Sequence, residues 1–106
     1  MQGEISVEEL ERWRSEGRDF VLLDVREPDE VRAAAIADAR WIPMREIPSR
    51  IAELPKDRAI AVLCHHGGRS ERVAAFLAGH GFHDVVNVDG GIDAYALRVD
   101  RAVPRY

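Results

Sequence analysis

Residues 59–73, AIAVLCHHGGRSERV, decide the fold, because one short stretch holds an apolar strand, a glycine-rich turn and the opening of a helix. Ala59 to Cys64 is a continuous apolar run, the pattern of a strand covered on both faces as in a parallel sheet. From Ser70 onward, Val73, Phe76, Leu77 and His80 recur at amphipathic-helix spacing, which places His80 toward the core, and Gly81 is set to end the helix. Between strand and helix stands Cys64, the only cysteine, followed directly by His65, His66, Gly67, Gly68, Arg69 and Ser70.

The same alternation extends in both directions. Ser6 and Glu9 read as a capping box that opens a helix over Val7 to Glu16, with Val7, Leu10 and Trp13 on one face and Gly17 at its end. Asp19 to Val25 repeats the buried-strand pattern, and a short helix with Pro28 in its first turn follows. ARWIPM (39–44) reads as a second short strand, and REIPSRIAELP (45–55) as one helix closed by Pro55. Downstream, DVVNV (84–88) is one more strand, and GGIDAYAL (90–97) a last helix. Strands alternating with helices predict an α/β fold, a small parallel sheet with helices on both faces. In such sheets ligands bind outside the carboxyl ends of the strands. Cys64, the pair Asp24 and Arg26, and Asp89-Gly90-Gly91 each follow a strand, so the three clusters should meet at one sheet edge.

Length and charge narrow the function classes. The chain has 106 residues, the size of one domain, so 1–106 reads as a single unit whose tail, about 98–106, packs on the body or frays. Lys and Arg number 15 against 19 Asp and Glu, a net charge of -4 with no basic run, which argues against a nucleic-acid partner. No apolar stretch is long enough to span a membrane, and the acidic start does not resemble a signal peptide. With one cysteine and no disulfide partner, the expected setting is reducing and cytoplasmic.

The loop chemistry concerns anions. A thiolate is favoured at a helix N-terminus and near cations, and Cys64 precedes the start of a helix. Gly67 and Gly68 permit the left-handed backbone needed to curl N–H groups round an anion. Arg69 offers a planar fork of donors, and Ser70 is a helix N-cap whose hydroxyl could instead face the loop. A metal reading of Cys64 with His65 and His66 fails on geometry, because three adjacent residues cannot converge on one ion. The histidines read better as backbone donors at a pocket rim, where a protonated imidazole would further acidify the thiol. No cofactor is implied.

These residues carry a resemblance. CHHGGRS (64–70) resembles the active-site loop of the rhodanese family, FVLLDVREPDE (20–30) is similar to that family's first core strand and the segment after it, and GFHDVVNVDGGIDAY (81–95) to its closing segment, with Tyr95 where Trp is usual. AAAIADA (33–39) lacks the His, Pro and Gly common at that point. The resemblance implies a rhodanese-like fold and a sulfurtransferase. Cys64 would take a sulfane sulfur from a donor such as thiosulfate, hold it as a persulfide, and pass it to an acceptor (cyanide in an assay, thiols in a cell). His65, His66, Gly67, Gly68, Arg69 and Ser70 would form the substrate loop, with Asp24 and Arg26 behind it. Cys64 to Arg69 is C-x4-R, whereas related phosphatases use a C-x5-R loop that makes room for phosphate. The same residues also suit a persulfide carrier or docking module fed by a partner such as a cysteine desulfurase.

Overall fold

The computed structural model describes residues 3–106, in which five parallel strands form one sheet of order β1-β5-β4-β2-β3. The strands are β1 (Gly3–Ile5), β2 (Phe20–Asp24), β3 (Arg40–Trp41), β4 (Ala59–Leu63) and β5 (Val85–Val88). The helices are α1 (Val7–Ser15), α2 (Pro28–Ala33), α3 (Ile47–Arg50), α4 (Gly68–Ala78) and α5 (Gly91–Arg98).

Side-chain alternation along the central strands divides the core. Leu22, Ala59, Ala61, Leu63 and Val88 point to the face covered by Val7, Leu10 and Trp13 of α1 and by Ile92 and Tyr95 of α5. Leu23, Ile60, Val62 and Val85 point to the opposite face, against Ile47 of α3 and Val73, Ala74 and Leu77 of α4. The second set includes Cys64. All five residues of β4 are buried, as its continuous apolar run requires.

Several local expectations are met and others corrected. Ser6 caps α1 by accepting from the Glu9 N–H at 3.1 Å, while the Glu9 carboxylate turns to Arg12 instead of completing the box. The single helix expected over 45–55 is broken into α3 and two flanking 3₁₀ turns, Met44–Glu46 and Ile51–Glu53. Pro48 explains the upstream break, since it lacks an N–H and its ring collides with the carbonyl four residues before it. β1 had no counterpart in the sequence reading; it pairs with β5 through only three residues. His80 is exposed rather than in the core. Its ring stacks on Phe76 and its Nδ1 lies 2.7 Å from the Phe76 carbonyl, beside the C-terminal end of α4.

From β2 the chain moves outward to β3, and from its neighbour β4 it moves outward the other way to β5. The carboxyl ends of β2 and β4 therefore flank a topological switch point, where an open parallel sheet leaves a crevice. Asp24 and Arg26 lie on one side of it and Cys64 on the other. Among the described residues no helix is long and apolar enough to cross a membrane.

Candidate active site

Cys64 follows β4 directly, and its side chain is 1% exposed. The chain then curls so that the Gly67 N–H donates to the Cys64 Sγ at 3.1 Å. Gly67 makes this possible with φ +112°, a conformation open to glycine, and it stands as N-cap of α4. The N–H groups of Arg69 and Ser70 also point to the sulfur, and the Ser70 hydroxyl lies 3.3 Å from it. Burial of Cys64 works against ionisation, yet the donors from Ser70, Gly67 and Arg69 outweigh it, and the thiol titrates below its ordinary range.

Two expectations about this loop are corrected. Gly68 does not share the left-handed role: it is the first residue of α4, exposed, with open space where a Cβ would stand. Ser70 is not the N-cap; of its two expected roles, the hydroxyl facing the loop is the one observed. With the cap three residues earlier at Gly67, the Ser70 hydroxyl is buried inside the first turn, 3.1 Å from the Gly67 carbonyl and 2.5 Å from Asn87 Oδ1. The Asn87 amide donates in turn to Glu4 at 3.2 Å.

The loop is fixed from behind by the start of α5. Ile92 N–H donates to the Cys64 carbonyl at 2.9 Å and Asp93 N–H to the His65 carbonyl at 3.1 Å. Both carbonyls are thus turned away from the sulfur, which leaves N–H groups facing it. Gly91 allows this approach, because a Cβ there would collide with the carbonyls of Cys64 and His65, and its φ is +61°. Gly91 and the first N–H groups of α5 thereby brace the loop, while the Asp89 N–H bonds to the Ile5 carbonyl.

The charged groups arrange themselves differently from a free anion site. Arg69 forms a two-pronged pair with the Glu30 carboxylate, at 2.6 and 2.8 Å. The pair holds the Glu30 carboxyl down at about 2 and raises the Arg69 guanidinium above its usual range. Arg26 is fully buried and clasps Asp24 with Nε and Nη2, the shortest contact being 2.7 Å. Its remaining donors reach the carbonyls of Glu30 and Ala34 and the Tyr106 hydroxyl. Asp24 and Arg26 lie behind the loop, linked to it through Tyr106 and Glu30. Burial, followed by repulsion from His66, pushes the His65 imidazole below its ordinary value, which works against a protonated ring there; the sequence leaves open which of His65 and His66 faces the pocket. His66 is largely exposed, its Nδ1 3.9 Å from Asp93.

Glu30, Asn87 and Tyr106 escaped the sequence reading. Each meets the loop across a long stretch of chain, with no local spacing to signal it.

A profile of the rhodanese-like domain matches residues 6–98. The chain belongs to the rhodanese-like family. This rhodanese-like chain is 40% identical over 96 residues to a sulfurtransferase of Allochromatium vinosum, covering 91% of this chain and 90% of that protein. It is 36% identical over 91 residues to the thiosulfate sulfurtransferase GlpE of Pseudomonas syringae pv. syringae, covering 86% and 84% of the two chains. Among solved structures, a rhodanese-like domain protein from Staphylococcus aureus superposes with a TM-score of 0.85 at 30% identity, covering 100% of this chain and 99% of that one. The rhodanese-like fold expected from the sequence is the fold observed, and the two curated relatives above are named as sulfurtransferases.

Proposed function

We propose that this rhodanese-like domain is a sulfurtransferase of the thiosulfate type that carries sulfur as a Cys64 persulfide. The observation behind this reading is the convergence of the Gly67 N–H and the Ser70 hydroxyl on a buried sulfur at the head of a helix. Such a cradle favours an anionic sulfur over a neutral thiol. The Cys64 thiolate attacks the outer sulfur of thiosulfate. A new S–S bond forms, the S–S bond of the donor breaks, and sulfite leaves with the electron pair. Cyanide or a cellular thiolate then attacks the terminal sulfur and returns Cys64 as thiolate. Arg69 guides the anionic donor, and the short C-x4-R loop suits one sulfur atom better than a phosphate ester. A free thiol with this task belongs in a reducing compartment such as the cytoplasm.

Intact-mass spectrometry after incubation with thiosulfate tests the proposal. Wild type should gain one sulfur that cyanide removes, and Cys64→Ser should gain none. Absence of the adduct in wild type refutes thiosulfate as donor. A second reading, a relay fed by a persulfidated partner such as a cysteine desulfurase, is favoured by one observation: Arg69 is already occupied by Glu30. A persulfide delivered by a protein has no need of a free cation. Sulfur uptake from the desulfurase but not from thiosulfate would select it.

A further inference from the structure

The segment that follows α5 turns back across the loop. It is anchored at its start by N–H bonds from Val99 and Asp100 to the Tyr95 carbonyl, and Val103 packs against the α1–α5 side of the core. Farther on, Arg105 pairs with Asp93 at 2.9 Å. The Tyr106 ring then lies flat on His65, with centroids 4.0 Å apart and planes 11° apart. The Tyr106 hydroxyl accepts from Arg26 at 2.9 Å and donates to Glu30 Oε2 at 3.0 Å. One side chain therefore touches both ends of the loop, His65 directly and Arg69 through Glu30.

We propose that Tyr106 is a gate that bars the mouth of the Cys64 loop and sets how readily sulfur donors reach it. The inference rests on Cys64 being the reactive sulfur. Three observations carry it. Cys64 is 1% exposed, so a donor needs a path opened. Of the groups that border the loop, Glu30 is fixed in the first turn of α2, where its Oε1 accepts from the Glu27 N–H at 3.0 Å. Tyr106, by contrast, is 41% exposed and sits on a segment without helix or strand, tied at its side by an exposed ion pair. Segments held by so few buried contacts open at the lowest free energy. The Glu30 carboxylate beside the approach is paired with Arg69 and held in α2 whether or not the ring is in place, so the barrier is steric and holds back neutral and anionic reagents alike. Any ligand that needs the open form loses apparent affinity in proportion to the closed fraction.

The test uses the full chain and reads Cys64 alkylation by neutral iodoacetamide and anionic iodoacetate, alongside thiosulfate kinetics. Tyr106→Ala should raise both alkylation rates to a similar extent, by roughly fivefold if the mouth is closed most of the time. Its KM for thiosulfate should fall while kcat stays near wild type, a split that mere loosening of the fold would not produce. Arg105→Ala, which cuts the anchor on Asp93 and leaves the ring in place, should shift both rates the same way by a smaller factor. Wild-type alkylation rates in both variants, each shown folded by near-ultraviolet circular dichroism, would overturn the proposal. Faster alkylation of the variants without any sulfur uptake from thiosulfate would leave the gate standing and refute only the thiosulfate reading.

Discussion

At the scale of single residues, the proton on Ser70 has three claimants: the Cys64 sulfur, the Gly67 carbonyl and Asn87 Oδ1. A hydroxyl has one proton to give, so ionisation of Cys64 competes with Asn87 for it. Ser70→Ala removes the donor, and one hydrogen bond to a charged sulfur is worth about 1.5 kcal/mol, or about one pKa unit. The pH profile of Cys64 alkylation should then move upward by about one unit, toward the ordinary thiol value. The sign for stability follows the same direction. A folded-state pKa held below its unfolded value contributes stability that is complete above the unfolded pKa and is lost as pH falls through the folded one. In Cys64→Ser, the gain in stability of wild type with rising pH should disappear from urea titrations over that window. Cys64 and Arg69 were legible because strand, glycines and helix surround them in sequence. The partners that decide their state were not: Glu30 meets Arg69 from 39 positions away, and Asn87 meets Ser70 from 17.

Among the elements, the starts of α4 and α5 separate two kinds of glycine. Gly91 has φ +61°, and a Cβ would strike the backbone of Cys64 and His65, so Gly91→Ala should cost on the order of 3 kcal/mol or more. Gly68 is helical with open space around it, so Gly68→Ala should leave the melting midpoint unchanged or slightly raised. Thermal melts of the two variants compare a strained brace with a relaxed first turn. The major strands and helices were readable because their apolar periods persist over four or more residues. β1 was not, since three residues that pair at the rim carry no period. The fracture near α3 was hidden for another reason: Pro48 suits a helix start as well as it breaks one.

Across the whole molecule, Arg26 joins parts of the chain that are far apart in sequence: Asp24 at the end of β2, the carbonyls of Glu30 and Ala34, and Tyr106. Replacing it with an apolar residue of similar length strands a buried carboxylate and two carbonyls. Arg26→Met should therefore lower stability by about 3–5 kcal/mol in urea unfolding, far beyond an exposed ion-pair loss such as Arg98→Met. The parallel sheet and the meeting of polar groups at one edge were legible from the alternation of elements. The charge chain from Asp24 through Arg26, Tyr106 and Glu30 to Arg69 was not, because only the closed fold brings its members together. The two carbonyls that α5 holds away from the sulfur have a consequence for the molecule as a whole. Sγ makes no hydrogen bond to α5, yet the orientation of the dipoles around it depends on how that helix sits against α1. The acidity of Cys64 is thus a gauge of distant packing: a variant that lets α5 drift should be seen first as a drifting titration curve, before any loss of folded protein is measurable.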